Sequence, residues 1–425
     1  MAVDSTWTKP SRTAASPRTR RGGCWVTAGA LPMPAILSPM PLYDDPPNGL
    51  RMAAEPLQRW TQALVERLGS PPDVAADVAE ILVASDLRGI ASHGTARLPQ
   101  YVLLAETRTM DPTARPVKER GRPGIALFDA RNGWGHHAGR VAMDDAIERC
   151  LTLGTAISVV RNSNHYGIAG WYAMRAAEGG LIGISLTNTS PLVAPTRARI
   201  PMLGTNPIAF AAPAGRFGIL SIDMATSTIP RGRIEVAARR GETLLAQWAI
   251  GPDGSPATTP EAALAGALQP LGGTEETAGY KGYGLALLVE VLTGVLAGAA
   301  FGPNVIGLFS TEAKSDLGQW YLAIDPGAIG DPAAFEGRVE RLLEQLTEAP
   351  LIPNAPGPVL WPGQPEAERA ERSRRDGIVI DREHHANLLA LARRLDVPLP
   401  EPIPTPSSPL AAARPARPGQ SVGRA

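Results

Sequence analysis

From Gly124 onward, short apolar runs alternate with helix-length segments, and this alternation confines the chain to an α/β fold. Residues 125–128 read as a strand, 138–153 as a helix, 156–160 as a buried strand, 168–178 as a helix and 181–186 as a strand. Segments 207–212, 219–224 and 320–324 supply further strands, with a short helix over 230–240 and another over 262–268. Ahead of this region the pattern is helical. Leu57, Trp60, Leu64 and Leu68 form one stripe, and Val74, Val78, Ile81 and Leu82 form another. Helical stripes return at 333–348 and around Leu388, Leu391 and Leu395. The chain therefore divides into a disordered extension (1–51), a helical segment (53–122), a central α/β domain (123–330), a second helical segment (331–397) and a disordered tail (398–425).

The strand over 156–160 runs into Arg161-Asn162-Ser163-Asn164-His165-Tyr166-Gly167, which leads into a helix. A polar cluster with a histidine at a strand-to-helix turn is where an α/β protein usually places its chemistry, and imidazole exchanges protons near neutral pH. The competing reading is a histidine that caps the helix. A second candidate is Ser92-His93-Gly94 with Arg97. On a helix, His93 and Arg97 would share a face, so a guanidinium could pin a carboxylate while an imidazole handles a proton. The rival is an N-terminal cap followed by a solvated arginine.

Other classes are disfavoured. Lys+Arg and Asp+Glu balance at 41 each and aromatics are 5%, so neither a nucleic-acid surface nor a base-stacking platform is indicated. The two cysteines form no C-x-x-C, which suits a cytoplasmic protein without a disulfide framework. Gly133-x-Gly135-x-x-x-Gly139 departs from the dinucleotide fingerprint, and no acidic residue ends the following strand. Gly279-Tyr-Lys-Gly-Tyr-Gly284 is not a phosphate-binding P-loop, but it puts Lys281 and free backbone N–H groups at a helix start. The pairs His136-His137 and His384-His385 read as surface residues, since neighbours in sequence point apart; no metal site is expected. The apolar stretch 284–301, interrupted by Glu290, reads as a buried core helix and not as a membrane span. Near the start, Arg18-Thr19-Arg20-Arg21 has the outline of a targeting signal, but Pro32 and Pro34 cut its apolar part short, and Met40 and Met52 each offer another start.

Taken in order, the motifs 85–89, Ser92-His93-Gly94 with Arg97, 161–167, 187–191, 203–207, 223–226 and 279–284 resemble the malate/L-lactate dehydrogenase family, which is unrelated to the Rossmann-type enzymes. The resemblance spans about 53–400. It implies a non-Rossmann NAD(P)-binding fold with a helical domain built from N- and C-terminal segments, and a homodimer with its site near the subunit interface. It implies hydride transfer between NAD or NADP and C2 of a small 2-hydroxy or 2-keto acid of malate, lactate or ureidoglycolate type. A cyclic imine reductase is the alternative, and an inactive cofactor-binding protein a more distant one. By the same resemblance His165 and His93 are both proton-transfer candidates, Arg97 holds the substrate carboxylate, and Ser92 stands beside it. Thr187, Asn188, Thr189, Ser190, Pro191, Leu192 and Val193, then Asp223, Met224 and Ala225, and Lys281 would line the cofactor. A late Pro-Gly-Glu motif of the family reads Pro362-Gly363-Gln364 here, with Gly363 the matching contact.

Overall fold

The computed structural model describes residues 45–46 and 48–404, so the expectations for 1–44, 47 and 405–425 lie outside the described residues. The chain runs through β1 (Leu50–Met52), α1 (Ala54–Arg67), α2 (Pro72–Leu87), α3 (Leu98–Glu106), β2 (Val117–Arg122), β3 (Ile125–Asp129), α4 (Gly135–Leu153), β4 (Thr155–Ser163), α5 (Ala169–Glu178) and β5 (Ile182–Thr187). There follow β6 (Ile208–Pro213), β7 (Ile219–Met224), α6 (Arg231–Arg240), β8 (Ala249–Ile250), α7 (Pro260–Ala265), β9 (Ala267–Leu268) and α8 (Gly279–Glu290). The last elements are β10 (Leu317–Ile324), α9 (Pro332–Thr347), α10 (Gln364–Asp376), β11 (Ile378–Ile380) and α11 (Arg382–Leu395).

The central sheet has seven strands among the described residues, in the order β2-β3-β4-β10-β5-β6-β7. Only β3 and β4 pair in parallel, joined through α4; every other pair is antiparallel. A doubly wound sheet would be mainly parallel, so the fold is α/β but not Rossmann-type. Strand alternation sends Tyr321 and Ala323 to one face, where α4 and α5 pack through Ala138, Ala142, Ala146, Ala173 and Ala176. Trp320, Val159 and Leu186 point to the other face, against Val289 of α8.

The glycines that mimic a dinucleotide fingerprint serve close packing. A Cβ on Gly135 would lie 2.0 Å from the Asn164 carbonyl oxygen, and one on Gly139 would lie 2.4 Å from the Tyr321 hydroxyl. Both distances are far inside contact, so α4 can lie against the His165 loop and the sheet only with glycine at these points.

Segments from the two ends build a second core. β1 pairs with β11, Leu50 opposite Ile380. Leu57 and Leu64 of α1, Val78 of α2, Leu98 and Tyr101 of α3, and Leu388 and Leu391 of α11 bury one another.

Several boundaries differ from expectation. β2 precedes residue 123 yet belongs to the sheet. Leu50 and Arg51, expected in the extension, lie in β1, and Ile403 of the expected tail donates its N–H to the Arg51 carbonyl at 2.8 Å. α9 packs beside the sheet, with Leu343 against Ala214 and Trp361, and not in the helical core. The segment 262–268 divides into α7 and β9.

The long apolar segment also departs from expectation. α8 passes into a π-helical turn at Val291–Val295. Leu287, Leu288, Val291, Val295 and Leu296 are about half exposed along it, at 45%, 48%, 47%, 50% and 52%. These positions recur at helical spacing, so the chain leaves an apolar stripe in the open where a core helix was expected. Glu290, which interrupts the run, is 3% exposed and faces inward. Its carboxylate accepts N–H groups from Asn188 at 3.1 Å, Asn206 at 2.6 Å and Gly302 at 2.8 Å.

Candidate active site

Two chain segments meet at the site. The first is the turn between α2 and α3. Thr95 donates its N–H and hydroxyl to Asp86 Oδ2, at 3.0 and 2.6 Å. The Nε2 of His384 lies 3.0 Å from the same Thr95 hydroxyl oxygen. The turn is thereby pinned to α2 and α11 from beneath, and its upper side carries Ser92, His93 and Arg97. Ser92 Oγ is 2.9 Å from His93 Nδ1, and Arg97 donates from Nε to the Ser92 carbonyl at 2.6 Å. The Arg97 guanidinium also stands 5.4 Å from the ring centroid of Phe309. Among the described residues its two terminal nitrogens donate to nothing, which leaves the edge that grips a carboxylate free.

The second segment is the loop after β4. Most of its polar residues hold the loop itself. Arg161 pairs with Glu119 at 2.7 Å, Asn162 donates to Asp129 at 2.9 Å, and Asn164 donates to the carbonyls of Asn132 and Gly133 at 3.0 and 2.9 Å. His165 follows, half-buried, its ring stacked on that of His93 with centroids 5.4 Å apart. Tyr101 of α3, buried in the helical core, places its hydroxyl 2.6 Å from His165 Nδ1. No described protein group hydrogen-bonds His165 Nε2, the other ring nitrogen.

Burial lowers both imidazoles. His93 is pushed down to about 4, with the Arg97 charge adding to the effect. His165 falls well below the usual 6.5 through burial, then through the charges of His93, His136 and Arg97. Both rings are therefore neutral at pH 7 and able to accept a proton. Burial raises the Tyr101 phenol, which stays protonated.

The histidines read as surface residues are otherwise placed. His136 is fully buried, 5.2 Å from the Tyr101 ring centroid to centroid. His137 is 7% exposed and pairs with Asp77 at 2.6 Å, and His384 is 6% exposed. Only His385 is partly exposed. Tyr101 and His136 were missed as site residues. The signal was there for Tyr101, which lies four residues beyond Arg97 and one helical turn along.

The expected cofactor residues gather less tightly. Thr187, Asn188 and Val193 are buried, at 3%, 0% and 1%. The Asn188 amide is consumed by Glu290, the Ala300 carbonyl and the Gly318 N–H. The side chains of these three face inward, whereas Thr189, Ser190, Pro191 and Leu192 are partly exposed. Asp223 and Met224 at the end of β7 are exposed, and Asp223 Oδ2 accepts the Gly170 N–H of α5 at 2.7 Å. The loop from His165 thus ends on the Asp223 carboxylate. Gly363 packs on the same strand, with Pro362 accepting the Ser221 N–H at 3.2 Å. At the start of α8, Gly279 and Lys281 already donate their N–H groups to Thr274 and Ala278, so the expected backbone anion cradle is partly used. The Lys281 ammonium remains exposed and makes no ion pair with described residues. This donor set fits a nicotinamide dinucleotide: a carboxylate with one oxygen free suits ribose hydroxyls, and an unpaired ammonium suits a phosphate. No group of three or more His, Cys, Asp or Glu among the described residues could hold a metal ion.

A family profile described as Malate/L-lactate dehydrogenase matches residues 52–389. The chain is 35% identical over 350 residues to an L-sulfolactate dehydrogenase of Methanothermobacter thermautotrophicus, covering 82% of this chain and 98% of that one. It is 33% identical over 337 residues to the ureidoglycolate dehydrogenase (NAD(+)) of Escherichia coli K12, covering 78% and 93%. It is 34% identical over 289 residues to a (2R)-3-sulfolactate dehydrogenase (NADP(+)) of Chromohalobacter salexigens, covering 67% and 84%. Among solved structures, malate dehydrogenase of Pyrococcus horikoshii superposes with a TM-score of 0.78 at 34% identity, covering 84% of this chain and 99% of that one. A Δ1-piperideine-2-carboxylate reductase of Pseudomonas syringae superposes with a TM-score of 0.72 at 31% identity, covering 80% and 99%.

Proposed function

The chain belongs to the malate/L-lactate dehydrogenase family, an NAD(P)-dependent 2-hydroxy acid dehydrogenase by descent, and from that premise we propose that His165 moves the proton while Arg97 holds the substrate carboxylate. The observation that carries this reading is one arrangement. A neutral imidazole stands with Nδ1 on a buried tyrosine and Nε2 unengaged, near an arginine whose terminal nitrogens are free.

When bound, a nicotinamide would supply the acceptor for a hydride from C2 of the hydroxy acid, or the hydride donor to the keto acid. The protein does the rest. Arg97 grips the carboxylate through its two terminal nitrogens and fixes which face of C2 is presented. His165 accepts the C2 hydroxyl proton at Nε2 during oxidation and gives it back in reduction. His93 is the weaker proton candidate, because the neighbouring Ser92 hydroxyl is the sole hydrogen-bond partner of its ring among the described residues. Its stacked ring instead walls the site beside His165. Asp223, Lys281 and the partly exposed residues 189–192 would hold the dinucleotide, with Gly363 beside them against β7.

The apolar stripe along α8 and its π turn is the face we assign to a second copy of this chain, since a stripe of this kind on a lone chain marks an interface. We place the enzyme in the cytoplasm, where the buried free thiol of Cys150 would stay reduced. No helix among the described residues is long and apolar enough to cross a membrane.

The test is a panel of malate, lactate, ureidoglycolate, sulfolactate and a cyclic imine, each with both nicotinamide cofactors. Turnover of a 2-hydroxy acid that His165→Ala abolishes is the expected result. Turnover of the imine alone would move the assignment to the reductase reading, and sedimentation as a monomer would remove the dimer.

A further inference from the structure

Tyr101 touches a second histidine, which the proposed hydride and proton transfer leaves unused. His136 is the second residue of α4 and is fully buried. Trp134, Tyr101, His165 and Gly167 enclose it. Its Nε2 lies 3.4 Å from the Tyr101 hydroxyl, and its Nδ1 is buried with no hydrogen-bond partner. An unpaired buried ring nitrogen costs stability, so a polar ring here asks for a reason that packing does not supply.

The reason lies in proton counting. The Tyr101 oxygen faces two imidazole nitrogens but has one proton to donate. The Gly167 N–H also points at His165 Nδ1, but at 3.4 Å against 2.6 Å it is the weaker contact, so the tyrosine oxygen is the partner that decides the tautomer. For His165 to accept a proton at Nε2, its neutral ring must carry hydrogen on Nδ1, and that N–H must donate to the Tyr101 oxygen. The tyrosine proton must then point elsewhere, and His136 Nε2 is the acceptor within reach. If the tyrosine proton turned to His165 instead, the ring would carry its hydrogen on Nε2, facing the substrate, and could not act as a base.

We propose that His136 is a positioning residue: by accepting the Tyr101 hydroxyl at Nε2, it keeps the tyrosine oxygen open to His165 Nδ1–H and so holds His165 in the tautomer that takes the substrate proton. Burial keeps His136 neutral, pushed down to about 3, so its lone pair is available throughout the working range. The step is balanced without any proton travelling inward. The substrate O–H bond breaks and the His165 Nε2–H bond forms. The C2–H bond breaks with its electron pair leaving as hydride, for which a bound nicotinamide would be the acceptor, and the hydrogens on His165 Nδ1, Tyr101 and His136 stay where they are. The imidazolium then donates from Nδ1 to the same oxygen, which stabilises it.

This inference rests on His165 being the proton acceptor, and the experiment separates the two. Nitrogen-15 spectra of histidine-labelled protein report the tautomer of His165 without reference to activity. Wild type and His136→Gln, whose amide oxygen can accept from Tyr101, should both show hydrogen on Nδ1, whereas His136→Leu should show it on Nε2. Hydroxy acid oxidation by His136→Leu should fall by at least about 10-fold in kcat with KM nearly unchanged, and His136→Gln should recover most of it. In a Tyr101→Phe background, His136→Leu should cost nothing further. A wild-type spectrum with hydrogen on Nε2 overturns the proposal even if every variant misfolds. So does an independent loss in the Tyr101→Phe background. An active His165→Ala enzyme overturns the reading of the site instead.

Discussion

The Tyr101 hydroxyl lies 2.6 Å from Nδ1 of His165, and this one contact ties the helical core to the central sheet at the proposed proton acceptor. Helix α3 supplies the tyrosine and the loop after β4 supplies the histidine. Removing the hydroxyl frees the ring to turn. Tyr101→Phe should lower kcat by about 10–100-fold, the usual effect of losing a partner that orients a functional histidine. Thermal melting of the variant separates this from lost packing, because the buried ring is retained.

His165→Ala should lower turnover by at least about 100-fold, in keeping with the loss of a general acid–base group. His93→Ala should cost less and act more on KM, since that ring walls the site. If the two variants lose equal amounts of kcat, the division of roles is wrong.

Arg97→Ala should raise KM for the carboxylate substrate by about 100-fold or more, with a smaller change in kcat. Arg97→Lys should recover little, because a point charge cannot reproduce a bidentate grip. Steady-state kinetics on both variants decides it, and full recovery by lysine would rule out the bidentate grip.

Stability should fall on acidification. Burial holds His93, His136 and His384 at about 4, about 3 and about 4, and His165 also lies well below its usual value. Below about 6.5 the unfolded chain binds protons at these four positions that the folded chain does not, so lowering the pH favours unfolding. Three carboxyls work the other way: burial pushes Asp86 up to about 7 and Asp223 up to about 6, and raises Asp316, so their contribution is present at low pH and is lost as pH rises through those values. The four imidazoles outweigh them. The melting temperature should drop by several degrees between pH 7 and pH 5, and a level curve across that window would refute the balance.

Glu290→Ala should destabilise the protein by several kcal/mol, on the order of 1–3 for each buried donor left unpaired. Asn188, Asn206 and Gly302 all lose their acceptor in this variant. Denaturant midpoints measure it. A shift below about 1 kcal/mol would mean that water replaces the carboxylate.

What the sequence made legible follows from periodicity. The strands 125–128, 156–160 and 219–224 and the helix after His165 announced themselves because one face of each is apolar. Their order in the sheet did not, since β10 inserts between β4 and β5 from far along the chain. The polar cluster after β4 was visible, but its residues could not be sorted by pattern. Arg161, Asn162 and Asn164 hold the backbone and His165 alone faces the site, a division that depends on partners such as Glu119 and Asn132. His136 and His384 looked like surface residues because neighbours in sequence point apart, and nothing local shows that one side of each is core. Glu290 looked like an interruption in an apolar helix because its three amide partners are distant in sequence.

The pairing of β1 with β11 has a consequence for how the enzyme is made. His93, Arg97 and Tyr101 are synthesised early, but the core beneath them is closed by Ile380, Leu388 and Leu391. As the ribosome delivers the chain, the half of the site proposed to grip substrate must wait unfinished until nearly the last residues emerge. A stop codon before α11 would therefore silence an enzyme whose every proposed catalytic side chain had already been translated.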